Sequence, residues 1–316
     1  MEQENVLKNH LINGRYQIQH KLDEGSFSIV YLGTDTLTKK KVAIKVESAS
    51  YTKPTIPHES AIYRHLNNRD GFPQIFYAGQ EKDHNILVMN VLGVSLKHVH
   101  DEIGKKFSLK TVVQLADQML TRLETLHGLH FVHCDLKPAN FMMGSGDKSN
   151  TVHLIDFGLA RQYICDNKHV NNRNRNFVGN PAFAACNAHL KRSLARRDDL
   201  ESLGYILIYF LKGTLPWETT PSQTLQEQFR QIQRIKLSTS TEMLCQGVSP
   251  VFLQYFHYVQ KLKHEEKPNY DYLRQLFRNL AARLKYNYDN QFDWNKKITA
   301  KKVKGVPGPA QGVHAP

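Results

Sequence analysis

Between Tyr16 and about Met89 the apolar residues recur in short alternating runs, whereas beyond Leu109 they recur at helical spacing. This shift predicts an α+β chain with a small β-rich lobe followed by a larger helical one. In KVAIKV the alternation places Val42, Ile44 and Val46 on one face of a strand and Ala43 and Lys45 on the other. In PHESAIYRHL the helical spacing gathers Glu59, Ile62, Tyr63 and Leu66 on one face, so a carboxylate sits on an apolar stripe. VMNVLGVSL carries an apolar strand into a turn at Gly93 and reads as a hinge. Two short apolar runs, Phe141 to Met143 and Val152 to Ile155, flank the turn-rich GSGDKSN and predict a hairpin. After Trp294 the periodicity stops, and GVPGPAQGVHAP reads as a disordered extension.

Composition narrows the picture. With 316 residues, 41% of them hydrophobic, the chain can fill the core of one large domain or two lobes. LGYILIYFL, from Leu203 to Leu211, is far shorter than the roughly 18 residues of a membrane span and reads as a buried helix. MEQENVLKNH lacks the apolar core of a signal peptide. No membrane insertion is therefore expected, and a cytoplasmic or nuclear location follows. The four cysteines are widely spaced, which predicts reduced thiols rather than a disulfide scaffold or zinc module. The net charge of +13 is dispersed, with NKKITAKKVKG its nearest approach to a cluster, so a solvated basic surface is expected rather than a nucleic-acid site.

Several polar residues then suggest chemistry. A buried Glu59 needs a cation, and Lys45 is the natural candidate, although a snorkelling Lys45 and a frayed helix start at Glu59 would read the same way. The predicted hairpin brings Asn140, just before its first strand, to the same end as Asp156, just after its second. An amide and a carboxylate oxygen there suit Mg2+ shared with nucleotide phosphates. Asp135, five residues before Asn140, could take a proton from an attacking hydroxyl while Lys137 neutralises a transferring phosphate. LDEGSFSIVYLG, Leu22 to Gly33, reads either as a phosphate-covering loop with Gly25 alone in its turn or as an ordinary hairpin.

Gly25, VAIK, Glu59, HCDLKPAN and IDFG, in this order and spacing, resemble the eukaryotic protein kinases. VYLGTDT, HES, FSLKTVVQLADQML, DFGLARQY, RRDDLESLGYILIYF, GTLPW, YLRQLFRNL and FDWN are similar to the casein kinase I family, over roughly residues 12 to 295. The resemblance implies a bilobal kinase fold, with a flexible segment 1–11, an N-lobe of about 12–89, a hinge of about 89–93, a C-lobe of about 94–295 and a disordered tail 296–316. It implies ATP and Mg2+ as cofactors. Leu22, Val30 and Ala43 would roof the adenine, with Met142 and Ile155 below. Asp23, Glu24, Gly25, Ser26, Phe27, Ser28 and Ile29 would cover the phosphates, and Met89, Asn90 and Leu92 would form the hinge edge. Lys45, paired with Glu59, would contact the α- and β-phosphates; Asn140 and Asp156 would hold Mg2+; Asp135 would orient a Ser/Thr hydroxyl beside Lys137. His133 and Asp199 would support the catalytic loop. Protein substrates with Ser/Thr acceptors and a monomeric state are also implied.

The chain departs from the family pattern at defined places. Asp23 and Ser28 stand where two loop glycines are usual, which predicts weakened ATP affinity. Cys134 replaces the arginine of the usual HRD, which argues against control by activation-loop phosphorylation. VGNPAFAA, Val178 to Ala185, replaces TGTARYAS, so Asn180 stands where the family's threonine would bridge the catalytic aspartate, a bond an asparagine can also make, and Ala182 stands for an arginine. With PSQTLQEQFRQ in place of a basic helix and only Arg230 left, a preference for primed acidic substrates is not expected. The reading is an active Ser/Thr kinase, with a pseudokinase scaffold as the alternative.

Overall fold

The alternating runs of the first ninety residues form one antiparallel sheet, and the computed structural model describes residues 10–25, 28–170, 176–218 and 224–295 of the chain. Its strands are β1 (Leu11–Ile12), β2 (Tyr16–Glu24), β3 (Ser28–Asp35), β4 (Lys41–Ser48), β5 (Ile75–Glu81) and β6 (His84–Asn90), ordered β1-β2-β3-β4-β6-β5. Val42, Ile44 and Val46 join Tyr16, Tyr31, Ile86 and Val88 in one small core. Ala43 and Lys45 therefore face the other way, as the alternation predicts. Leu11, assigned from sequence to the N-terminal extension, pairs with Gln17 in the sheet. Residues 1–9 and the predicted tail 296–316 lie outside the described residues.

Helix α1 (Ile56–Leu66) packs Ile56, Ile62, Tyr63 and Leu66 inward together with Glu59. The chain then enters a helical lobe, with α2 (Leu96–Glu102), α3 (Leu109–Gly128), α4 (Cys186–His189), α5 (Arg196–Lys212), α6 (Leu225–Ser238), α7 (Thr241–Cys245), α8 (Pro250–Lys261) and α9 (Tyr270–Arg283). Helix α3 starts at Ser108, whose Oγ accepts from Thr111 N at 3.2 Å. Asp293 in turn accepts from Ser108 N at 2.6 Å and Oγ at 2.7 Å, which fastens the FDWN segment onto that helix start. Helix α5 is buried along Leu200, Leu203, Ile206, Leu207 and Phe210, as the uniformly apolar run predicts. Burying each such side chain stabilises by about 1.5–3 kcal/mol, so this helix anchors the lobe. Among the described residues no helix is long and apolar enough to cross a membrane.

Between the lobes, β7 (Phe131–Val132), β8 (Phe141–Met143) and β9 (Val152–Leu154) carry the loops of chemical interest. Strands β8 and β9 pair antiparallel, with Met142 opposite His153. The hinge turns tightly at Gly93, whose N–H donates to Met143 O at 2.8 Å. A Cβ there would lie 2.6 Å from Gly144 O, so only glycine fits this approach.

Candidate functional site

Lys45 lies on the inner face of β4, and its Nζ is 2.6 Å from Glu59 Oε2 and 3.0 Å from Asp156 Oδ1. Glu59 is buried on α1 and its second oxygen accepts from Phe157 N at 3.3 Å. Tyr63, one turn on, accepts from Asp156 N at 3.3 Å and meets the Phe157 ring edge-on at 4.9 Å. Pairing therefore prevails over a snorkelling lysine, because both the cation and the helix start are held inside. Burial opposes the charge on Lys45, but Glu59 and Asp156 outweigh it and raise its pKa. Burial likewise opposes the charge on Asp156, and Lys45 holds its pKa below the ordinary value. Glu59 is pushed up by burial, with Lys45 opposing.

The hairpin delivers the second group of ligands. Ile155 N donates to Asn140 O at 3.0 Å, which brings Asn140 and Asp156 to one end of β8 and β9. Asn140 Nδ2 donates to Asp135 O at 2.9 Å, so its amide oxygen is left as an acceptor. Asp156 has φ 69°, a left-handed turn that sets its carboxylate toward Lys45. One amide and one carboxylate oxygen fit a hard divalent cation whose shell is completed by phosphates and water. The described residues hold no cluster of three or more His, Cys, Asp or Glu side chains suited to a metal by itself. A cation here would thus depend on nucleotide oxygens.

Asp135 is buried, with Oδ2 accepting from Lys137 Nζ at 2.7 Å. Its other oxygen, Oδ1, is buried without a hydrogen-bond partner among the described residues. Such an acceptor is costly to leave unmade unless something else binds it. Gly179 packs beside it with φ 91°, and a Cβ there would lie 2.4 Å from Cys134 O and 3.4 Å from Asp135 Oδ1. Among the described residues no hydrogen bond joins Asn180 to Asp135. Asn180 Oδ1 accepts from Ala182 N at 3.0 Å, because the turn after Gly179 directs the short amide into its own loop.

Asp199, in the first turn of α5, braces the loop before Asp135. Its Oδ2 accepts from His133 N at 2.7 Å and from His127 Nε2 at 2.8 Å, and its Oδ1 accepts from Cys134 N at 3.1 Å. Asp199 thus bonds two successive backbone amides of the loop that leads into Asp135. Burial works against the Asp199 charge, but the bond from His127 holds its pKa below the ordinary value. His133 is itself buried and its Nε2 lies 3.0 Å from Ile155 O. Cys134 is buried at φ 66°, with Sγ 3.7 Å from Val132 O, as a small packed residue would be.

Several of the residues expected at the nucleotide neighbour one another in the sheet. Val30 stands opposite Lys45 in the sheet, and Ala43 opposite Met89. Met142 bridges to Ser95, while Ile155 follows β9 directly. Leu22, on β2, is exposed. Leu92 lies between Asn90 and the Gly93 turn, and Asn90 Oδ1 accepts from Gln74 N at 2.6 Å. In the loop, Gly25 N donates to Ser28 O at 2.8 Å and closes the turn ahead of Ile29. Asp23 Oδ1 accepts from Glu24 N at 2.8 Å, and Glu24 pairs with Lys21. Ser26 and Phe27 lie outside the described residues.

One buried cation was not anticipated. Lys236 on α6 is 2% exposed, and burial pulls its pKa down to about 7. The signal was present, since Leu225, Phe229, Ile232 and Lys236 fall at helical spacing on one stripe, the same charge-on-apolar-face pattern that marks Glu59. Where an anion-binding arginine was sought, Ala182 is half-buried and Arg230 is exposed. Beside them the rings of Phe177, His189 and Phe229 pack in tilted and edge-on contacts with centroids 4.8–5.4 Å apart.

These residues form a cleft between a β-sheet lobe and a helical lobe, with a buried lysine-carboxylate pair on one side and an aspartate-bearing loop on the other. The family model for the protein kinase domain matches residues 16–280 of the chain. With that match covering most of its length, the chain belongs to the protein kinase domain family, and its architecture is the bilobal α+β fold of that family.

Proposed function

We propose that the chain is an ATP-dependent protein serine/threonine kinase of casein kinase I type, with one catalytic domain of about residues 12–295. The observation that carries this reading is the contact of Lys45 with both Glu59 and Asp156, at the end of the hairpin that also carries Asn140. Lys45, held charged by Glu59, would grip the α- and β-phosphates. Asn140 and Asp156 would hold Mg2+, which supplies neutralisation of phosphate charge. Asp135 would accept the proton of a Ser or Thr hydroxyl on Oδ1, which has no hydrogen-bond partner among the described residues. The hydroxyl oxygen bonds the γ-phosphorus, the bond to the bridging oxygen breaks, and ADP leaves with the electron pair. Lys137 would offset charge on the transferring group. The substrate side has an aromatic cluster and Ala182 in place of basic residues, which favours protein substrates that are not primed by an acidic or phosphorylated neighbour. No disulfide joins Cys134, Cys165, Cys186 and Cys245 among the described residues, which fits a reducing cytoplasmic or nuclear setting.

Transfer of γ-labelled phosphate to a mixed protein substrate, followed by phosphoamino-acid separation, tests the reading. Label on serine and threonine, absent with Asp135→Asn, is expected; label on tyrosine alone would contradict it. A second reading, a pseudokinase module, is favoured by the acidic Asp23 at the loop and by Asn180 turning away from Asp135. It predicts thermal stabilisation by Mg-ATP with no transfer.

A further inference from the structure

Lys236 is placed as few lysines are. Its Nζ donates to Pro181 O at 2.9 Å, Ala182 O at 2.8 Å and Ala184 O at 2.7 Å. Tyr205 and Trp217 present their rings to it, each centroid 4.7 Å away. Trp217 Nε1 donates to the same Ala182 O at 2.8 Å. Three acceptors require the three hydrogens of an ammonium, since a neutral amine carries only two. A buried cation that bonds carbonyls instead of a close carboxylate is a poor device for stability alone, because an apolar side chain would fill the space without desolvation. What the cation does here is draw three carbonyls of one four-residue stretch to a single point.

That stretch is the continuation of the wall beside Asp135. Gly179 rests against Cys134 O and Asp135 Oδ1, and Asn180 O accepts from Ala184 N at 2.8 Å. The backbone from Gly179 to Ala184 is thus held at Asp135 on one end and at Lys236 on the other. We infer that Lys236 is a positioning residue that fixes the acceptor-side wall of the site, so that the protein substrate, rather than the nucleotide, depends on it. This rests on the kinase reading above. The ATP-facing residues Lys45, Glu59 and Asp156 belong to other elements and make no bond to this stretch among those described.

The test compares the full chain with Lys236→Met, Lys236→Arg and Trp217→Phe. For Lys236→Met we expect kcat/KM for a Ser/Thr peptide to fall by about 10²-fold, as for a wall displaced by about 1 Å, with the KM for ATP within about twofold of wild type. Lys236→Arg should restore part of the loss, since a guanidinium still donates to several carbonyls. Trp217→Phe keeps the ring but removes one bond to Ala182 O, and should raise the peptide KM by about threefold, a single neutral hydrogen bond's worth. Hydrogen exchange of the amides from 179 to 185 should quicken in both Lys236→Met and Trp217→Phe. Equal losses in ATP and peptide parameters, or exchange at 179–185 unchanged in both variants, would overturn the inference. A wild type that transfers no phosphate would instead remove the kinase reading, and exchange alone would then decide whether Lys236 clamps this stretch.

Discussion

Lys45 Nζ and Glu59 Oε2 stand 2.6 Å apart, joining the sheet to the helix that follows it, and Asp156 closes the contact from the other lobe at 3.0 Å. Because Glu59 is buried, removal of the lysine leaves a carboxylate with no cation inside the protein. Lys45→Met should therefore destabilise the fold by about 3 kcal/mol near neutral pH, within the range for a broken buried pair. The loss should narrow between neutral and mildly acidic pH as Glu59, whose pKa burial raises, takes up a proton. Urea midpoints at the two pH values check this.

The Asp199 carboxylate supports three donors at once, His133 N, Cys134 N and His127 Nε2. Asp199→Ala leaves all three buried and unmet, and should cost about 4 kcal/mol. Asp199→Asn retains one acceptor oxygen and should cost less. Urea unfolding of the two variants against wild type measures the order, and an alanine variant no weaker than the asparagine one would contradict it.

The two lobes and the Lys45 pair were legible because they follow from periodicity and from the rule that a carboxylate on an apolar stripe needs a cation. Asn140 and Asp156 were legible because a hairpin must bring its outer ends together. Lys236 carried the same stripe signal as Glu59, yet its partners are carbonyls 52 to 55 residues away, which no local pattern reveals. The direction of the Asn180 amide was open for a related reason. Whether a short amide reaches Asp135 or its own loop depends on the backbone path through Gly179, and that path is set by packing against Cys134.

The loop over the cleft makes a third prediction. Asp23 is exposed near the expected phosphates, while Glu24 is already answered by Lys21. Removing the Asp23 charge should relieve at most about 1 kcal/mol of repulsion, so Asp23→Gly with Ser28→Gly should tighten Mg-ATP binding by up to about fivefold. Titration calorimetry at low and high salt checks both the gain and its screening. An unchanged affinity would mean that these two residues do not limit binding.

His189 gives a pH dependence. It is 2% exposed, with Nε2 3.1 Å from Pro181 O, and burial together with the nearby Lys236 draws its pKa down from 6.5 to about 4. Between pH 6.5 and 4 the unfolded chain binds this proton and the folded one does not, so stability falls as the pH is lowered through that window. The change is of order 3 kcal/mol if fully expressed. His189→Phe keeps the ring between Phe177 and Phe229 but removes the proton. Its urea midpoint should vary less than that of wild type between pH 6.5 and 4.5, and parallel pH profiles would contradict the assignment.

The central claim is that Lys45, Glu59, Asp135, Asn140 and Asp156 form a working phosphotransfer site. The most direct test is the initial rate of γ-phosphate transfer from saturating Mg-ATP to a Ser/Thr substrate, measured for wild type and Asp135→Asn purified in parallel. The account predicts a wild-type rate at least about 10²-fold above the variant, the scale of a lost general base. Equal rates, at the level of a preparation lacking both Asp135 and Lys45, would contradict it.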